Sequence, residues 1–413
     1  MARQKDLYEA LCRNYEFMLG PIPNREEFKS ALRQTITEDD IRIIFLLPFR
    51  GELTMAELER RAAKAGLSRE QVHDAVRRLV PEGFIASFVR PVGEKGGATG
   101  YPAPPPLRDL SQPGRVVMRG DALTLTEMQV RKHEHDPMRL ASAHYMNAMI
   151  EGRGVSLPTH TPYFRVLPAE AALCEQPAYG RVTVDAPVPD TREVLPFDVV
   201  SEMVKRQAIV ALAECYCRRT KIINGEGCDH PLETCLYFND LARLQIESGR
   251  ARQIDTDEAL RVLALSEEAG LVHNAHNTQG QINALCNCCT CSCGVLKAIQ
   301  RGERYAGGPA RFVAVHDAEK CVRCQICVET CPVGALSMRD MAIHLDEARC
   351  IGCGLCVTRC PEGALSMRLR EHPPKVYKDM RALMGQISRE AMVGLLKQKL
   401  AGRRPRGGAP STK

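Results

Sequence analysis

The sequence predicts an α+β protein of several domains, on three observations. The chain has 413 residues, enough for two to four domains, each with its own core. Capped amphipathic helices alternate with short apolar runs that read as strands. Nineteen cysteines concentrate in the second half, and part of that half is an internal repeat. The expected units are residues 1–101, 102–195, 196–302, 312–370 and 371–413.

Residues 1–35 read as helical, with Leu7, Leu11 and Tyr15 on one side. Residues 39–47 are apolar and helix-like, and Pro48 ends them. Thr54 is placed to cap a helix over 55–65, which Gly66 closes. Ser68 opens the next helix, with Gln71 completing a capping box, and Val72, Val76 and Leu79 face inward. Residues 84–90 read as a strand, and the Gly-rich stretch 91–100 as a wing. Residues 36–101 are therefore expected to form a winged helix. Residues 1–90 hold 15 Lys or Arg and 14 Asp or Glu, a difference of +1. The expected recognition helix carries Arg69, Arg77 and Arg78 but also Glu70 and Asp74. A DNA-binding helix is more basic, so a docking or structural role is favoured over nucleic acid.

Residues 102–113 are Pro-rich and read as a linker, within a mixed α/β connecting region 102–195. Short strands are expected at 164–167 and 181–184. His133, His135, His144 and His160 read as solvated or hydrogen-bonded; chelation by His133 and His135 needs a strand that places both on one face.

A Cys-rich, mainly helical domain is expected over 196–302. An amphipathic helix over 198–213 leads into Cys215 and Cys217; Cys228 and Cys235 follow. A helix over 256–269, capped by Asp255 and ended by Gly270, precedes Cys286, Cys288, Cys289, Cys291 and Cys293. This spacing has no core periodicity. Zinc knuckles fit poorly, because the two-residue spacings from Cys286 to Cys289 and Cys288 to Cys291 interleave. A redox dithiol is a further alternative. One or two additional [4Fe–4S] clusters fit best. One cube pairs Cys215 and Cys217, or Cys228 and Cys235, with thiols of the 286–293 run; two cubes use eight of the nine. Arg218, Arg219 and Lys221 are candidates to offset cluster charge.

The repeat lies in 312–370. Cys321-x2-Cys324-x2-Cys327-x3-Cys331-Pro332 returns as Cys350-x2-Cys353-x2-Cys356-x3-Cys360-Pro361, displaced by 29 residues. The segment Cys331-Pro-Val-Gly-Ala-Leu-Ser-Met338 also returns, as Cys360-Pro-Glu-Gly-Ala-Leu-Ser-Met367. Three thiolates at two-residue spacing reach three irons of one cube, and the fourth serves the other cube. Cys321, Cys324, Cys327 and Cys360 are thus expected to hold one [4Fe–4S] cluster. Cys350, Cys353, Cys356 and Cys331 hold the second. Val322, Ile326, Val328, Ile351, Leu355 and Val357 shield them. This region resembles a bacterial two-cluster ferredoxin over about 60 residues.

The whole chain resembles Cys-rich iron–sulfur proteins of anaerobes that fuse a winged helix to a ferredoxin. The matching residues are Cys215-Tyr-Cys217-Arg218, Cys228-Asp-His-Pro231, Cys235 and Cys286-Asn-Cys288-Cys289-Thr-Cys291-Ser-Cys293-Gly294, together with Thr161-Pro-Tyr-Phe-Arg-Val-Leu-Pro168. Relatives often carry a further Cys at the position of Ser292. The resemblance implies an iron–sulfur electron carrier.

No dinucleotide fingerprint, P-loop, haem-attachment motif or radical-SAM cysteine run is present, so no substrate-transforming site is visible. The expected function is single-electron relay within a larger anaerobic redox complex. Expected partners are a flavoprotein or a molybdenum, tungsten or heterodisulfide-reductase-like enzyme, in a hetero-oligomer. The alternatives are a redox-responsive winged-helix regulator that binds DNA, and a small-molecule reductase with an open iron site. Neither a transmembrane helix nor a secretory signal is expected, and thiolate ligands point to the cytoplasm. Residues 371–413 are expected to form a helix and a basic disordered tail. Cys12 and Cys174 are isolated.

Overall fold

The computed structural model describes residues 6–19, 21–48, 51–89, 110–113, 115–120, 122–132, 135–152, 159–173, 194–280, 282–303 and 307–400. Helices α1 (Leu7–Leu19), α2 (Arg25–Thr35) and α3 (Glu38–Leu46) open the chain. Strand β1 (Leu53–Thr54), helices α4 (Met55–Lys64) and α5 (Arg69–Leu79), and strands β2 (Ile85–Val89) and β3 (Arg115–Arg119) follow. The capping signals act as read: Thr54 accepts from Glu57 N, and Ser68 and Gln71 form a capping box. The three strands form an antiparallel sheet in the order β1-β3-β2. Sequence reasoning missed β3, which pairs with β2 across the expected wing and the Pro-rich stretch. Residues 91–109 lie outside the described residues. Helices α6 (Ala122–Val130) and α7 (Pro137–Ile150) complete this part. Phe28 packs edge-on to Tyr145, tying α2 to α7 in one apolar core.

The middle region is built on a seven-stranded sheet, which corrects the expectation of a mainly helical domain. The strands are β4 (Phe164–Leu167), β5 (Val210–Glu214), β6 (Glu233–Phe238), β7 (Arg252–Ile254), β8 (Val272–His276), β9 (Ala284–Cys288) and β10 (Gly307–Gly308). Their order is β10-β4-β8-β9-β6-β5-β7; only the β10–β4 pair is parallel. Helices α8 (Val200–Lys205), α9 (Tyr216–Ile223), α10 (Asn239–Glu247), α11 (Thr256–Glu268) and α12 (Gly294–Gln300) surround it. The helix expected over 198–213 stops at Lys205, and 210–214 is the sheet strand β5. Strand β5 is buried on both faces, Val210 and Leu212 in one core and Ala211 and Ala213 in another, so it leaves no alternating pattern. Helix α11 matches its expected span and is capped by Asp255, which accepts from Glu258 N. Residues 181–184 lie outside the described residues.

The repeat folds as strands β11 (Phe312–His316), β12 (Leu336–Arg339), β13 (Ala342–Leu345) and β14 (Leu365–Leu369) with short helices α13 (Ile326–Thr330) and α14 (Leu355–Thr358). The sheets β11–β14 and β12–β13 are both antiparallel. Helix α15 (Met380–Leu400) ends the described chain, and the basic tail lies beyond it. Among the described residues no helix is long and apolar enough to cross a membrane.

Candidate metal centres

The two halves of the repeat wrap two small cavities of about 20 Å³ each. One is lined by Cys321, Cys324, Cys327 and Cys360; the other by Cys331, Cys350, Cys353 and Cys356. The loops close because the residues between the thiols take left-handed conformations. Arg323 and Gln325 have φ of 61° and 66°; Gly352 and Gly354, 29 residues on, have 70° and 74°. Gly334 and Gly363 repeat the device at 61° and 60°. The fourth thiol of each half accepts a backbone bond: Cys331 Sγ from Ala335 N and Cys360 Sγ from Ala364 N, both at 3.2 Å. Burial pushes the Cys327 thiol up to about 11 and that of Cys353 up to about 12. Each cavity presents four thiols, a donor set that suits a cube.

The nine middle thiols are drawn to one end of the sheet. A cavity of about 190 Å³ is lined by Cys215, Cys217, Cys235, Cys286, Cys288, Cys289 and Cys293. Met146 and Met149 of α7, with Phe164 of β4, supply apolar wall. Cys286 and Cys288 stand two apart on β9 and so share a face of the sheet. Asn287 between them points the other way and donates to Thr234 O at 2.7 Å. Cys215 and Cys217 come from the β5–α9 junction, and Cys293 is the residue before α12. Cys228 and Cys235 meet different thiols of the 286–293 run. Cys235 sits on β6 against Cys215 and Cys286, whereas Cys228 sits 4.0 Å from Cys289 in a loop. Cys228, Cys289 and Cys291 form a separate trio with all three sulfurs within 4.8 Å of one another.

Residues 320–364 match a family model described as a 4Fe-4S dicluster domain. The chain therefore carries a ferredoxin-like iron–sulfur region, and an electron-transfer role follows from it. Comparison with curated proteins and with solved structures finds no match. The dicluster match begins at residue 320, so the middle thiols lie outside it.

Fixed charges surround the larger cavity. Hydrogen bonds from Cys217 and Cys235 lower the Cys215 pKa well below the usual thiol range; bonds from Cys235 and Cys288 do the same for Cys286. Arg218 is buried, donates to Thr234 Oγ1 at 2.8 Å, and faces Cys215, Cys235 and Cys289. Of the three cations expected to offset cluster charge, only Arg218 turns to the thiols. Arg219 pairs with Glu214, and Lys221 with Glu151 and Glu226. Sequence reasoning missed Arg131. Its guanidinium is buried, bonds Tyr237 OH at 2.6 Å and Glu127 at 2.7 Å, and lies over the Tyr216 and Tyr237 rings. A lone Arg in a stretch without pattern gives no signal of this placement.

His135 bonds Arg139 and His144 bonds Glu27, so each has a protein partner; His133 lies outside the described residues. Cys12 is buried in the first core, and burial pushes its pKa up to about 11. Cys174 lies outside the described residues.

Proposed function

We propose that the protein relays single electrons through two ferredoxin-type [4Fe–4S] clusters and at least one further cluster in the larger cavity, as a subunit of an anaerobic redox complex. One observation carries this reading. A single apolar cluster joins Cys286, Cys288 and Cys293 of the middle region to Cys331, Cys350 and Cys353 of the second repeat cavity. A neighbouring cluster joins Cys350 and Cys356 to Cys321, Cys327 and Cys360. Three thiol-lined centres thus share continuous dry packing, the setting a short electron path needs. The clusters supply reversible one-electron storage when bound. The chain supplies thiolate ligands, exclusion of water and the fixed cation of Arg218, which raises the potential of an anionic centre.

Cys324 is exposed, and Val322, expected to shield the cluster, is instead 61% exposed, so the first repeat cavity is the favoured face for a redox partner. A flavoprotein or a molybdenum, tungsten or heterodisulfide-reductase-like enzyme fits that role, and the cytoplasm is the proposed setting. The order α3-β1-α4-α5-β2-β3 supports a winged helix. Its charges argue for docking over DNA: Arg69 pairs with Glu59, Arg77 with Asp74 and Arg78 with Asp40. Its strands are covered by α10, where Ala86, Phe88 and Val116 meet Leu244.

The test is iron and acid-labile sulfide per chain on anaerobically purified protein, with electron paramagnetic resonance of the reduced state. More than about eight of each, the content of two cubes, is expected. A count that stops at eight would remove the middle cluster from the path.

A further inference from the structure

We infer that Cys228, Cys289 and Cys291 form a mononuclear zinc site, separate from the iron–sulfur centres. Among the described residues this is the one trio of Cys, His, Asp or Glu whose ligand atoms all lie within 4.8 Å of one another. Cys228 Sγ and Cys289 Sγ are 4.0 Å apart. A tetrahedral zinc ion with sulfurs at about 2.3 Å holds those sulfurs about 3.8 Å apart. Three mutually close sulfurs can share one ion, whereas the cysteines of a cube bind different irons with inorganic sulfides between them, and among the described residues no trio of the other six middle thiols is as tight. Neither repeat quartet contains a trio as tight, although both sets carry the cube motif.

The surroundings suit a divalent ion. Ser292 Oγ lies 3.7 Å from Cys228 Sγ and is placed to take the fourth position, or to hold a water there. Binding releases three thiol protons to solvent and leaves one zinc ion with three thiolates, a net charge of −1. Arg218, 1% exposed and facing Cys289, offsets that charge. The ion would join the loop between α9 and β6 to the turn before α12. Cys289 also lines the larger cavity, so the zinc site would form part of its wall. The other six thiols, Cys215, Cys217, Cys235, Cys286, Cys288 and Cys293, remain for the cluster. The inference leaves the electron-relay reading intact and limits it to one middle centre.

The experiment uses the full chain, purified anaerobically from zinc-supplied cells. Zinc, iron and sulfide are counted per chain, and zinc X-ray absorption reads the ion's shell. About one zinc bound by three sulfurs and one lighter atom is expected. Cys291→Ala and Cys228→Ser should lose that zinc with iron and sulfide unchanged. Iron and sulfide falling in the Cys291→Ala protein while it stays folded would overturn the site, because Cys291 would then serve a cluster. Absence of zinc from the wild type, or a four-sulfur shell, would overturn it without any variant. A middle region that holds this zinc and no iron would instead remove the middle cluster from the relay and leave the site standing.

Discussion

The two halves of the repeat share ligand spacing, left-handed turns and sulfur-directed backbone bonds, yet they sit in opposite environments. In the first half Cys324 is exposed, and Val322, Arg323 and Gln325 face solvent. In the second half Ile351, Gly352, Cys353 and Gly354 are all buried. Ala310 N donates to Ile351 O at 2.8 Å and Ala169 N to Cys353 O at 2.9 Å. The contacts explain the residues. A Cβ on Gly352 would lie 2.1 Å from Phe312 O, and one on Gly354 would lie 2.6 Å from Ala172 Cβ. Arg323 and Gln325 take the same left-handed φ with their side chains exposed. One motif thus builds two cluster sites, and the packing around each sets its exposure.

The largest expected effect comes from removing that difference in glycine content. Gly352→Ala adds a left-handed strain and a backbone clash, about 3 kcal/mol or more. The second cube should be lost, halving the iron of the repeat and lowering the melting temperature. Arg323→Ala at the matching position should change stability by less than about 0.5 kcal/mol. Equal losses in the two variants would show that crowding does not separate the halves.

The halves should also differ in potential. Burial penalises the extra negative charge of a reduced cube, so the second cube should have the lower potential. A redox titration followed by electron paramagnetic resonance should resolve two steps. Cys324→Ser should remove or shift the higher one and Cys353→Ser the lower. The reverse assignment would mean that fixed charge near the second cube outweighs exposure.

What was legible in the sequence follows the same division. The repeat could be read because its ligands are local: three thiols within seven residues meet one site whatever lies around them. The helix caps at Thr54, Ser68 and Asp255 were readable for the same reason. The middle site was not, because its partners are set by the sheet. Cys228 and Cys235 are seven residues apart, but β6 begins between them and carries Cys235 to the buried face. Residues 210–214 read as the end of a helix because a doubly buried strand has no alternating pattern. Strand β3 was missed because its partner β2 lies beyond the expected wing, and pairing at such distance has no local signal.

A smaller effect tests what holds the second half in place. Arg370 donates to Cys350 O at 2.7 Å and Ala310 O at 3.1 Å. Its counterpart 29 residues earlier is Met341, which is 70% exposed and anchors nothing comparable. Arg370→Ala should cost roughly 2 kcal/mol by loss of charged hydrogen bonds. It should also speed loss of iron from the second cube to chelators. Met341→Ala should leave both cubes unchanged. Faster loss from the first cube in the Arg370→Ala protein would contradict this assignment.

The smallest effect lies in the tie between α15 and the strand that leads under the second half. Glu390 on α15 accepts from Thr161 Oγ1 at 2.7 Å, Thr161 N at 2.9 Å and His160 N at 2.8 Å. Burial works against its ionised form, but bonds from Gln386, Thr161 and His160 prevail and hold its pKa down to about 2. Its folded pKa lies below the unfolded value of about 4.3, so the tie contributes fully above that value and fades as pH falls toward 2. Short-pulse hydrogen exchange should therefore show α15 opening more readily at pH 4 than at pH 7, after correction for intrinsic exchange. Glu390→Gln cannot ionise, so this pH dependence should shrink in the variant. Because residues 164–167 run directly to Ala169 and Ala172 beneath Gly354, any loosening should reach the second half of the repeat before the first. Identical pH dependence in wild type and variant would place the acid-sensitive contact elsewhere and remove α15 from the account of why the second half is buried.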